Sequence, residues 1–241
     1  MNIISRNLKN NSKLINHSST IRDMALLKKE SKKFLDKMEA GGEFDKKEEI
    51  NKYFNTYFSG TTLEQYYSIF KSYLVDEVPS FEDTVGLDYG CWLGLSTIIL
   101  NKFGNQKVYS CDFYKKELMD NIFDNIIPDG DIRYTNLEDN SLTIGESLDW
   151  IVLYDVICAY HYRIAKKDLI LEFSKNIGHF YSLLREGSFL LISDDAHPAL
   201  TGGVANVGLP LVLEILNQNN FKSAIVYCNE GRGRYVITAH K

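Results

Sequence analysis

The stretch Gly86-Leu-Asp-Tyr-Gly-Cys-Trp-Leu-Gly-Leu-Ser96 decides how this chain is read. An apolar strand runs into Asp88, then come Gly90 and Gly94, and a helix opens near Ser96. Glycine lets a backbone approach a ligand and take dihedrals that a Cβ forbids. The start of a helix favours an anionic group. Eighteen residues beyond Gly94 a second strand ends in Asp112, a carboxylate placed to accept hydrogen bonds from ribose hydroxyls. Taken in order, these features describe a nucleoside-cofactor site at the C-terminal edge of a parallel sheet. Trp92 stands where a dinucleotide fingerprint has its second glycine, and the third glycine is missing. The Gly-Lys-Ser/Thr ending of a phosphate-binding P-loop is also absent. A tight strand-to-helix turn with a surface Asp112 is the purely structural alternative.

Outward from this stretch the alternation continues. Strands are expected at Val85–Asp88, Lys107–Cys111, Ile132–Thr135, Trp150–Tyr154 and Phe189–Ser193, with helices at Ser96–Phe103, Lys115–Ile127 and Asp168–Leu184. Strand and helix in turn mean βαβ units and a parallel sheet. A helix at Pro210–Asn219 precedes two strands, Lys222–Tyr227 and Tyr235–His240, which lie too close for a helical crossover and must pair antiparallel. The fold class is therefore α/β: a Rossmann-like, doubly wound, mostly parallel seven-stranded sheet with its last strand antiparallel. Upstream, apolar residues at helical spacing predict helices from Asp23 to Gly41, over Lys47–Phe58 and over 62–77, the last opened by Thr61 and Glu64 as a capping box. The chain thus divides into a flexible N-terminus (1–22), a helical cap (23–80) and a cofactor-binding domain (81–241). The cap's many tyrosines at helical spacing are mainly core, and an exposed part of them would suit a homodimer face.

Composition narrows the function. The chain has 241 residues, 44% hydrophobic and 24% charged, which fits a globular protein and excludes a coiled coil or a disordered chain. No apolar run is long enough to span a membrane. Four dispersed cysteines form no zinc pattern and read as reduced thiols of a cytoplasmic protein. Net charge is −5, yet residues 1–37 carry nine basic against three acidic side chains. The rest is acidic, which disfavours nucleic acid as a partner. The basic start suits either a solvated tail or a targeting segment.

Asp88-Tyr-Gly-Cys-Trp-Leu-Gly-Leu-Ser96 resembles motif I of class I S-adenosylmethionine-dependent methyltransferases. The aromatic Trp92 and the Ser after the last Gly are similar to the metal-dependent catechol and caffeoyl-CoA O-methyltransferase branch. The resemblance covers residues 80–241 and includes the final antiparallel strand. It implies S-adenosylmethionine as cofactor, with Asp88, Gly90, Trp92 and Gly94 forming the methionine loop. It also implies Ser96 at the methionine carboxylate, Asp112 at the ribose and Asn136 with Leu137 at the adenine. Asn136 stands where the family often has an acid.

Two further strands end in acids at the same sheet edge: Asp155 after the fourth, and Asp194 with Asp195 after the fifth. Converging carboxylates suit Mg²⁺, which can lower the pKa of a substrate hydroxyl. The metal-dependent O-methyltransferases, including a branch acting on sugars and natural products, resemble this pattern. Asp155 also serves in a metal-free site as a contact to cofactor or substrate. His161 follows the fourth strand with a pKa range suited to a general base. Tyr160 and His197 are further candidates, and the glycine-containing loop from His197 to Pro210 has the length of a substrate lid. The expected activity is methyl transfer to a small molecule, with oxygen the preferred acceptor atom. Metal-free N-methylation, transfer of another alkyl part of the cofactor, and a non-catalytic binding module are the rivals.

Overall fold

The computed structural model describes residues 1–6, 25, 29, 32, 61–75, 83–102, 107–138, 142–157, 166–195, 209–228 and 234–241. The two expected helices before residue 60, Tyr160, His161, His197 and the lid glycines Gly202, Gly203 and Gly208 lie outside them. The chain forms two compact units.

The first unit holds Met1–Lys9, Thr84–Gly90 and Leu142–Lys241. Its strands are β1 (Asn2–Arg6), β2 (Val85–Tyr89), β5 (Leu148–Tyr154), β6 (Leu184–Asp195), β7 (Ser223–Cys228) and β8 (Arg234–His240), with helices α4 (Lys166–Leu183) and α5 (Leu209–Gln218). β5 is apolar on both faces, as a central parallel strand must be. It pairs in parallel with β2, placing Asp88 opposite Val152, and with β6. Trp150 of β5 is fully buried, lies across Gly86 of β2 and donates its indole N–H to Thr84 Oγ1 at 2.9 Å. A Cβ at residue 86 would run into that ring. β8 is antiparallel to both β6 and β7, as expected of the last strand.

The second unit holds Asn10–Asp83 and Cys91–Ser141. It contains α1 (Thr61–Phe70), which continues as a π-helical turn Lys71–Val75, then α2 (Leu95–Lys102), β3 (Lys107–Asp112), α3 (Lys116–Ile126) and β4 (Ile132–Asn136). α3 buries Met119, Ile122, Phe123 and Ile126, a three-and-four spacing that marks one helical face. β3 and β4 pair in parallel, with Asp112 opposite Asn136.

The strand order is β1-β7-β8-β6-β5-β2-β3-β4. Among the described residues the sheet is doubly wound and mostly parallel, with eight strands rather than seven. The additional one is β1, where the sequence reading expected no element. Ile3 and Ile4 supply β-branched residues, and β1 pairs in parallel along the outer edge of β7. The Met1 amine donates to Asn217 Oδ1 at 2.8 Å and Asn2 N–H to the Lys222 carbonyl at 2.9 Å. β6 is longer than expected as well. Leu184 is buried and pairs with Leu148, and the register shifts before Trp150 meets Phe189. Among the described residues no helix is long and apolar enough to cross a membrane.

Candidate functional site

β2 and β5 are neighbours whose onward connections leave in opposite directions, so the sheet's switch point falls between them. Ligands in open α/β sheets bind outside the strand C-termini at such a point. Beyond β2 the chain turns sharply. Gly90 and Gly94 have φ of +76° and +84°, and Trp92 between them has φ of +48°. That region suits glycine and is a genuine outlier for a bulky residue. Space matters too. A Cβ on Gly90 would sit 2.7 Å from Val156 Cγ2, and one on Gly94 would sit 2.5 Å from the Phe123 ring. Gly94 N–H bonds the Cys91 carbonyl at 2.8 Å, and Ile98 N–H bonds the Gly94 carbonyl at 2.9 Å, which starts α2. Ser96 lies buried in the first turn of that helix.

Within the second unit, Asp112 organises the loop. Its Oδ2 accepts the Trp92 amide N–H and its Oδ1 the Phe113 amide N–H, both at 2.7 Å. The Asp112 carbonyl accepts Leu137 N–H at 2.8 Å. Asn136, buried at the end of β4, accepts the Glu138 N–H on its Oδ1 at 2.8 Å. Trp92, Asp112 and Leu137 are thereby joined, with Asn136 beside Leu137. Because an ionised carboxylate offers about four lone-pair sites, an oxygen holding one amide can still accept a hydroxyl.

Two residues at this place were missed by the sequence reading. Tyr114 accepts the Trp92 indole N–H on its hydroxyl at 2.6 Å. Tyr134 of β4 donates its hydroxyl to the Tyr114 carbonyl at 2.9 Å. Burial pushes the Tyr134 phenol well above its ordinary pKa, with Cys91 and then Asp112 adding to the shift. The available signal was the donor-only indole of Trp92, which needs an acceptor, and the aromatic pair following Asp112. Cys91 and Cys111 are buried free cysteines.

In the first unit, Asp88 is buried within β2. Asp155 follows β5 with φ of +56°, and its N–H bonds the Ser193 carbonyl at 2.9 Å. Asp194 is 2% exposed and its Oδ2 accepts the Ile157 N–H at 2.7 Å. It therefore braces the turn that leaves β5. The Asp195 side chain and His161 lie outside the described residues. Among the described residues no three His, Cys, Asp or Glu side chains gather as metal ligands. The Asp194 carboxylate thus serves as a backbone brace within this unit.

No protein-family model matches the sequence, and no curated protein matches it. Solved structures do. A S-adenosylmethionine-dependent methyltransferase from Clostridium acetobutylicum ATCC 824 is 12% identical with a TM-score of 0.58, over 79% of this chain and 96% of that one. An O-methyltransferase family protein from Burkholderia thailandensis is 15% identical with a TM-score of 0.52, over 74% and 58%. An N-methyltransferase from Bradyrhizobium japonicum WM9 is 18% identical with a TM-score of 0.50, over 73% and 92%. At these identities the likeness shows the fold alone, one shared with these methyltransferases.

Proposed function

We propose that this chain is a S-adenosylmethionine-dependent methyltransferase acting on a small molecule, with oxygen as the preferred acceptor atom. One observation carries the reading: an acid at the tip of β3, Asp112, holds the turn between β2 and α2 through the Trp92 amide at 2.7 Å. The turn's three left-handed residues present backbone at the head of a helix. Folded likeness to cofactor-dependent methyltransferases supports the same reading.

The cofactor supplies a methyl group already activated on a sulfonium. What remains for the chain is to bind, align and keep water away. In this reading the turn Gly90–Gly94 carries the methionine part, with Ser96 and the start of α2 at its carboxylate. Asp112 takes the ribose hydroxyls, and Asn136 with Leu137 borders the adenine. Asp155 orients the acceptor, and His161 accepts its proton. Residues 23–80 are assigned as the helical cap and residues 81–241 as the methyltransferase domain. A Mg²⁺ held by Asp155, Asp194 and Asp195 is the competing arrangement for acceptor activation.

Calorimetric titration with S-adenosylmethionine and S-adenosylhomocysteine tests the reading. Micromolar binding of both supports it, and product mass from an acceptor panel then identifies the group moved. Binding and turnover that survive a chelator favour the metal-free site, while their loss favours the three aspartates. No binding of either ligand sinks the methyltransferase reading and leaves a βα turn braced by a buried acid.

A further inference from the structure

We propose that Tyr114 is a positioning residue for the nucleoside cofactor, acting through Trp92 on the carboxylate of Asp112. The inference rests on the methyltransferase reading, which supplies the ligand. Trp92 occupies a left-handed conformation, φ +48°, that a bulky side chain adopts only when its surroundings hold it there. Two directed bonds on the residue do so. Its amide donates to Asp112 Oδ2 at 2.7 Å, and its indole donates to the Tyr114 hydroxyl at 2.6 Å.

The bonds form a chain. Tyr134 reaches from β4 to the Tyr114 carbonyl at 2.9 Å, which fixes the backbone two residues beyond Asp112. The Tyr114 ring returns to Trp92, and the Trp92 amide returns to Asp112. The second Asp112 oxygen is tied to the Phe113 amide at 2.7 Å. The carboxylate's rotamer is thus set by two amides, and one of them belongs to a residue whose indole the Tyr114 hydroxyl holds. An indole N–H is donor only, so without an acceptor at Tyr114 its orientation loses this constraint. Trp92 is then freer to leave the left-handed region and to take its amide from Asp112. The aim of the carboxylate at ribose hydroxyls loosens with it.

The test is calorimetric binding of S-adenosylhomocysteine to the wild-type chain, Tyr114→Phe, Trp92→Phe and the double variant. Both substitutions keep an aromatic ring and remove one end of the same hydrogen bond. Each single variant is expected to bind about fivefold more weakly, the size of one neutral hydrogen bond. The double variant should bind no more weakly than either single one, since both delete the same interaction. A purely structural role would not select for the ribose, so the decisive arm uses the analogue lacking both ribose hydroxyls. The wild-type chain and Tyr114→Phe should bind that analogue alike. Single variants that bind S-adenosylhomocysteine as the wild type does would overturn the proposal. So would additive penalties, or an equal penalty for the analogue. A wild-type chain that binds no S-adenosylhomocysteine overturns the methyltransferase reading first and this inference with it.

Discussion

The two ends of β2 are built from the same three residue types and put them to opposite uses. Before the strand, Asp149 Oδ2 accepts the Val85 N–H at 2.8 Å and the same carboxylate pairs with Arg185 at 3.0 Å. Trp150 fills the space over Gly86 and bonds Thr84. After the strand, Asp112 accepts the Trp92 N–H, and Gly90, Trp92 and Gly94 all turn left-handed. At the first end the glycine makes room for a ring, and the tryptophan is fully buried. At the second end the glycines shape a turn, and the half-buried tryptophan belongs to the turn itself. The contrast teaches that Gly, Trp and Asp around a strand carry no function by type. Function follows from which end of a parallel strand they flank, because helix starts and sheet crevices gather at the C-terminal end.

The largest expected effect belongs to the packed end. Gly86→Ala drives a methyl into the Trp150 ring, in a centre where both strands are buried. A loss of about 3 kcal/mol or more in urea unfolding is expected, at the upper end of overpacking costs. The fraction that stays folded should bind S-adenosylhomocysteine within about twofold of wild type, since this end faces no ligand; each twofold is about 0.4 kcal/mol. Unchanged stability would break the comparison at its firmest point.

The two acids give the sharpest contrast. Asp112→Ala is expected to weaken S-adenosylhomocysteine binding about a hundredfold, the scale of one or two charge-assisted hydrogen bonds. Asp149→Ala removes the acceptor of Val85 N–H and the partner of Arg185, and should cost about 1–2 kcal/mol in unfolding with binding intact. Equal binding losses in both variants would show that the ends of β2 are not functionally distinct.

This contrast also marks what was legible in the sequence. The order of strand, acid, glycines and helix placed β2, α2, β3 and α3 to within a residue or two. Local period and turn chemistry govern those elements, and both are written in neighbouring residues. β1 was missed because five residues at a sheet edge, with every side chain exposed, leave no burial pattern to read. The bond from Trp92 to Tyr114 spans 22 positions and is set by the turn's geometry, which no spacing rule encodes. Asp112 and Asp194 show the same limit. Each is an acid near the end of a strand, and both bond backbone amides, yet one lies by the turn beside α2 and the other braces Ile157. A strand-ending acid announces an acceptor of amides, and only the fold says whose.

Asp194 extends the comparison to the other strand ends. Replacing it with alanine orphans the buried Ile157 N–H and should cost about 2 kcal/mol in unfolding. Asp194→Asn keeps an oxygen for that amide and should recover most of the loss. If the asparagine variant instead loses turnover while regaining stability, the carboxylate charge itself serves the reaction, and the three-aspartate arrangement gains ground over the brace.

The smallest effect is read at alkaline pH, on the open end. Tyr134 is raised above the ordinary tyrosine value of 10.0, chiefly by burial and then by Cys91 and Asp112. Its folded phenol therefore holds the proton more tightly than the unfolded one. The resulting stabilisation is whole below the unfolded pKa and is lost as pH rises from there toward the folded value. Tyr134→Phe removes this linkage together with the bond to the Tyr114 carbonyl. Near pH 7 the variant should be less stable by about 1 kcal/mol, the net value of one such bond. As pH climbs past about 10, where an unperturbed tyrosine ionises, the gap between wild type and variant should narrow. Titration of the remaining tyrosines is common to both proteins and drops out of the difference. A gap that stays constant from neutral to strongly alkaline pH would mean that the Tyr134 phenol ionises as freely in the fold as outside it, and that the buried hydroxyl is not what steadies the turn beside Asp112.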